Sequence, residues 1–86
     1  MNREKQAQIF KALAHPTRLA IVEKLLEDER CVNDIKDFFD ATQSNISQHL
    51  NILKYSGIVD FRKNGSSRCY FIKNKEKIKK IIQSLK

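Results

Sequence analysis

Four short polar residues, Ser44, Ser47, Gln48 and Asn51, recur at i, i+3, i+4 and i+7 in the stretch ATQSNISQHLNILKYSGIV, and so share one face of any helix formed there. Ser, Gln and Asn carry neutral donors and acceptors suited to the edges of nucleic-acid bases. An ordinary solvated face would hold a Lys/Glu mixture, which is missing here; an exposed polar face without a ligand is the plainer alternative. A second chemistry comes from Arg62, Lys63, Asn64, Ser66, Ser67 and Arg68, whose charges and neutral donors suit phosphate oxygens. Catalysis has no comparable footing. The hydroxyls near His49 lie on the same short segment without an acid to orient the ring, and there is neither a Gly-rich phosphate loop nor a paired-carboxylate motif. No enzyme is expected.

These residues need elements to hold them. Thr42 is placed to cap the polar-faced helix, Ile46, Leu50 and Leu53 form its buried stripe, and Gly57 supplies the stop. Upstream, a first helix is expected from near Arg3 to Ala14, with Ile9, Phe10 and Leu13 on one side. A second runs from Pro16 to about Asp28, capped from His15 and buried through Leu19, Ile21, Val22, Leu25 and Leu26. Cys31 and Val32 suit a very short strand, after which Asn33 would cap a third helix pointing Ile35, Phe38 and Phe39 inward. A turn at Asp40 and Ala41 leads into the polar-faced helix, completing a helix-turn-helix. Beyond Gly57, the segments Ile58 to Lys63 and Ser67 to Ile72 are strand-like around Asn64-Gly65. A two-residue loop there pairs Val59 with Tyr70 and Phe61 with Arg68, with Val59, Phe61, Tyr70 and Ile72 on one face. The expected fold is mainly α with a small β-hairpin wing: a five-helix winged helix-turn-helix, one domain over residues 1–86.

A chain of 86 residues buries a limited core and gains from oligomerisation. The last segment repeats Ile78, Ile81, Ile82 and Leu85 at helical spacing, so an interface with a second copy is expected from Ile9, Phe10, Ile78, Ile81, Ile82 and Leu85. The alternative folds the last helix back onto its own core. The net charge of +7 is uneven: residues 1–53 carry seven Lys/Arg against eight Asp/Glu, residues 54–86 ten against two. That asymmetry suggests an anionic partner, with duplex nucleic acid ahead of a membrane surface. No apolar run is long enough to span a membrane, the N-terminus lacks a secretory signal, and two cysteines are too few for a disulfide framework, so reduced thiols in the cytoplasm are expected. The competing function is a module for protein contacts or non-specific nucleic-acid binding. Acidic or apolar residues on the outer face of Gln43 to Lys54 would support the first, and none is expected there.

In order along the chain, ALAHPTRLAIVEKL, CVNDI, QSNISQHLNILKYSGIV and FRKNGSSRCYFI resemble the ArsR/SmtB family of winged-helix repressors. The resemblance covers nearly the whole chain. It implies a homodimer that sits on a duplex DNA operator and leaves when a metal ion or an oxidant changes its shape. It also implies that Gln43, Ser44, Asn45, Ser47 and Gln48 enter the major groove, with Lys63 and Arg68 in the wing; Asn51, on the same face by its spacing, and Lys54 are further DNA-binding candidates. His49 is expected to be a core or capping residue. The chain departs from the family's metal sensors: CVNDI holds one Cys with Asn33 where a second thiolate would stand, and the segment from Asn74 onward has no His and only Glu76. No metal and no cofactor are expected. In winged-helix folds the strand before the third helix pairs with the second wing strand, which would bring Cys31 and Cys69 together. They are either two inert buried thiols or a redox pair whose joining would shift the wing and weaken operator binding.

Overall fold

Five helices and three short strands make up the described residues, 2–85, of the computed structural model. Four of the helices open on a side-chain cap. Asn2 Oδ1 accepts from the Lys5 N–H (2.8 Å) at α1 (Arg3–Leu13), and His15 Nδ1 accepts from the Thr17 N–H (3.1 Å) at α2 (Pro16–Glu27). Thr42 Oγ1 accepts from the Asn45 N–H (3.1 Å) at α4 (Gln43–Tyr55), and Asn74 Oδ1 accepts from the Lys77 N–H (3.2 Å) at α5 (Lys75–Gln83). The exception is α3 (Val32–Phe38), which begins one residue before Asn33, with Cys31 at its cap position and no side-chain cap bond. Asn33 is therefore inside the first turn, contrary to the capping role expected for it.

The turn of the helix-turn-helix is closed by two backbone bonds, Ala41 N–H to Lys36 O (3.1 Å) and Asp40 N–H to Asp37 O (3.3 Å). This is a Schellman ending with Asp40 in the left-handed position at φ 50°. The end of α4 repeats it with glycine: Ile58 N–H bonds to Leu53 O (3.1 Å), Gly57 N–H bonds to Lys54 O (3.0 Å), and Gly57 has φ 85°. Both endings turn the chain sharply, so α4 is fixed in direction at each end.

Strands β1 (Arg30–Cys31), β2 (Val59–Asn64) and β3 (Ser67–Ile72) form an antiparallel sheet in the order β1-β3-β2. Val59 pairs with Ile72, Phe61 with Tyr70 and Asn64 with Ser67, so the corner residues are Gly65 and Ser66 rather than Asn64 and Gly65. The reason lies in φ: Gly65 takes +67° at the first corner, and Asn64, which would need a positive φ in the expected turn, is extended in β2. The partner shift is two residues, an even number, so Val59, Phe61, Tyr70 and Ile72 still share the inner face.

That face, with Ile21, Val22, Leu25, Ile35, Ile46, Leu50, Leu53 and Ile58, forms the core. Ile9, Ile78 and Ile82 are buried in it too, which corrects the expectation that α1 and α5 turn their whole apolar edges outward. Only Phe10 (61% exposed) and Leu85 (73%) stand free, with Ile81 half-buried. Phe38 is also outside, where Lys24 Nζ lies 4.1 Å from its ring centre, whereas Val32 takes an inner position that the pattern did not mark. No helix among the described residues is long and apolar enough to cross a membrane.

Candidate nucleic-acid interface

One stripe of α4 and the tip of the wing face each other across a polar cleft of about 430 Å³. Gln43, Ser47 and Asn51, one turn apart, form one wall, and Ser66, Ser67, Arg68 and Tyr70 form the other. Val32 and Asn33 at the start of α3 close its end. Ser44, Asn45 and Gln48 are exposed on α4 outside the cleft lining. The recognition set thus divides into an inner row beside the wing and an outer row open to solvent. Asn33 and Tyr70 were not anticipated as lining residues; for Asn33 the signal was obscured by assigning its side chain to the cap.

The cations of this region are not equivalent. Arg68 lines the cleft with its guanidinium 4.7 Å from the Phe61 ring centre, a stacking that restrains it without an acidic partner among the described residues. Lys63 pairs with Arg68 across the hairpin and is exposed. Arg62 is engaged elsewhere, donating from Nε to Glu29 Oε1 at 3.2 Å and lying over Phe71. Lys54 Nζ is 3.7 Å from Asp60 Oδ1 and over the Phe61 ring, so it braces α4 against the wing base and its charge is partly neutralised. The Asp60 carboxyl is held below its ordinary value, first by the Phe61 N–H it accepts and then by the Lys54 charge.

His49 points away from the cleft into a joint between helices. Its Nδ1 is 3.4 Å from Arg18 Nη1, its ring centre is 4.7 Å from that of His15, and Arg18 Nε donates to Ala12 O at 2.6 Å. Burial, then the charges of His15 and Arg18, lower its pKa from the ordinary 6.5. A neutral ring accepting at Nδ1 suits this joint, where His49 ties α4 to Arg18 and His15 of the α1–α2 corner. No group of three or more His, Cys, Asp or Glu that could hold a metal occurs among the described residues.

Two apolar openings lie elsewhere. Phe10, Leu13, Leu19, Ile81, Ile82 and Leu85 line a groove between α1, α2 and α5. Ile52 (43% exposed) and Tyr55 (92%) lie beside Gln8 and Lys11 of α1. Ile52 corrects the expectation that Gln43 to Lys54 exposes no apolar residue, although it does not line the cleft. Cys31 and Cys69, expected as reduced thiols, are opposed across β1 and β3 and joined in a disulfide.

The family model described as "Bacterial regulatory protein, arsR family" matches residues 15–60. An uncharacterized HTH-type transcriptional regulator of Methanocaldococcus jannaschii is 47% identical over 81 residues, covering 93% of this chain and 90% of that protein. The cadmium resistance transcriptional regulatory protein CadC of Listeria innocua is 50% identical over 66 residues, 76% of this chain, which spans 56% of CadC's length. Among solved structures, the homodimeric winged helix-turn-helix DNA-binding domain of a possible ArsR-family regulator from Mycobacterium bovis superposes with a TM-score of 0.87 at 28% identity, covering 95% of this chain and 78% of that one. The family match runs from the cap of α2 through the helix-turn-helix and into the first strand of the wing, the elements that build the cleft. This chain therefore belongs to the arsR family of bacterial regulatory proteins and is a winged helix-turn-helix regulator of transcription that binds DNA.

Proposed function

We propose that the chain is a cytoplasmic homodimeric repressor, one winged-helix domain per subunit, that reads a palindromic duplex operator with the polar face of α4 and steadies it with the wing. Gln43, Ser47 and Asn51 approach base edges from inside the cleft, Ser44, Asn45 and Gln48 from its open side, and Lys63 and Arg68 bind phosphates. The observation that carries this is the cleft itself: a neutral hydrogen-bonding wall faces an unneutralised Arg68, the division of labour between base reading and phosphate binding. Gln and Asn pair bidentately with adenine, so A·T pairs are expected among the contacted positions. The second copy covers the groove around Phe10, Ile81 and Leu85, in keeping with the homodimeric relative. Release by an effector belongs to the same proposal; a metal effector is not assigned, nor is any catalytic step. Use of the winged helix for protein contacts or non-specific nucleic-acid binding is the alternative, the first favoured by exposed Phe38, Ile52 and Tyr55.

Duplexes enriched by the chain from random sequence test the proposal. Binding should prefer them over random duplex and single-stranded RNA, and log K should fall with log salt by about 0.9 for each phosphate neutralised. A flat salt response or equal affinity for single-stranded RNA would overturn it.

A further inference from the structure

We propose that the cleft between α4 and the wing seats one backbone phosphate of the operator, and that the Tyr70 hydroxyl at its floor donates to that phosphate and fixes the wing's position along the backbone. This rests on the DNA-binding role of the cleft and names the part of the duplex that enters it. Tyr70 is 2% exposed, yet it lines the cleft on the same wall as Arg68. Its hydroxyl has no hydrogen-bond partner among the described residues, where the only sealed side-chain nitrogen or oxygen without a partner is Arg30 Nε. The hydroxyl is therefore not sealed, and the exposure it keeps is toward the cleft. Tyrosine hydroxyls in a core ordinarily find a partner, so one left over at the floor of a polar cleft points to a ligand.

The class of ligand follows from what stands around it. Arg68 is the one charged side chain among the described residues of the lining, and Asn33, Ser66 and Ser67 add neutral donors without a carboxylate beside them. Phosphate oxygens only accept, which suits this set. A lone hydroxyl, donor and acceptor at once, is permissive toward bases, whose discrimination rests on bidentate pairs. Position agrees. A helix lying in the major groove has a sugar–phosphate backbone along each side, so the backbone on the wing's side of α4 runs between the two walls of the cleft. The inner row of α4 then reaches bases from the groove side of that backbone.

Both donors of the wing wall are set before DNA arrives. Arg68 and Tyr70 alternate along β3 and so share its inner face, and one ring backs them both: the Phe61 centre is 4.7 Å from the Arg68 guanidinium and 5.4 Å from the Tyr70 ring centre. Tyr70 is also paired on its two sides, with Phe61 of β2 and Arg30 of β1. A hydroxyl held this way loses little freedom on binding. Arg68 supplies charge from a longer side chain, and Tyr70 supplies the fixed point.

The experiment measures anisotropy of a labelled duplex enriched by the chain from random sequence. Native chain is compared with Tyr70→Phe, which removes the hydroxyl and keeps the ring, on this duplex, on random duplex, and on duplexes in which one phosphate at a time is replaced by an uncharged methylphosphonate. Affinities are referred to the fraction folded by circular dichroism. Tyr70→Phe should bind enriched and random duplex alike at least about tenfold more weakly, the fold-change that 1.4 kcal/mol produces and the scale of a hydrogen bond to a charged group. Its salt slope should match that of the native chain, because no charge is removed. At one position in each half-site, the methylphosphonate should cost the native chain several-fold more than it costs Tyr70→Phe. A folded Tyr70→Phe that binds both duplexes like the native chain, a loss confined to the enriched duplex, or methylphosphonate losses the same for both chains at every position would overturn the phosphate seat alone. No duplex binding by the native chain would overturn the DNA role beneath it.

Discussion

At the scale of single residues, the cleft separates contacts that specify from contacts that hold. Gln43 and Asn51 face the wing with neutral side chains, while Arg68 brings a charge that no acidic side chain offsets among the described residues. Replacing Gln43 or Asn51 by Ala should lower the ratio of enriched to random duplex affinity by about 1–3 kcal/mol. Arg68→Ala should weaken both duplexes about equally and flatten the salt slope, and competition titrations at several salt concentrations check the contrast. His49 makes a different prediction. Its folded pKa is depressed below 6.5, so as pH falls from about 6.5 the unfolded chain takes a proton before the folded one does. Stability contributed by the neutral ring is complete above that pH and is lost as pH falls through the depressed value. Denaturant melts between about pH 6.5 and 5 should show a steeper loss for the native chain than for His49→Gln.

At the scale of elements, the direction of α4 depends on two left-handed residues. Gly57 and Asp40 end α4 and α3 with the same pair of backbone bonds, but only Gly57 adopts that conformation without a Cβ. A Cβ at Gly57 would meet nothing within 4 Å, so Gly57→Ala tests backbone strain without steric contact. It should cost about 1–2 kcal/mol, whereas Asp40→Gly should be neutral or stabilise by up to about 1 kcal/mol. Thermal or urea unfolding of both variants measures this, and equal destabilisation would count against the strain account.

At the scale of the whole molecule, α5 serves the subunit's own core first. A double substitution at Ile81 and Ile82 would disrupt folding, because Ile82 is buried within the subunit. Phe10 and Leu85 are the better probes, since both are exposed and both border the same groove. Phe10→Glu with Leu85→Glu removes about 1–2 kcal/mol of apolar burial per side chain from a two-fold interface that uses each position twice. Sedimentation should show a folded monomer with much weaker operator binding, while circular dichroism stays native. A surviving dimer would place the interface elsewhere.

The patterns that sequence alone determined were periodic or local. Ile46, Leu50 and Leu53 recur at helical spacing, Thr42 and Gly57 mark the ends of one helix, and the wing strands alternate, so α4, its polar face and the hairpin were legible without coordinates. The thiols of Cys31 and Cys69 were also placed on partner strands, once the family's topology supplied the pairing. Other features depended on competition between neighbours. Asn33 lost the cap to a helix that starts at Val32, Phe38 lost its inner position while Val32 took one, and the corner moved to Gly65 because Asn64 stayed extended. Whether Ile78 and Ile82 faced a second copy or their own core turned on how much of the core the other helices filled. Periodicity shows that a helix has an apolar face, but only the packed chain decides what covers it.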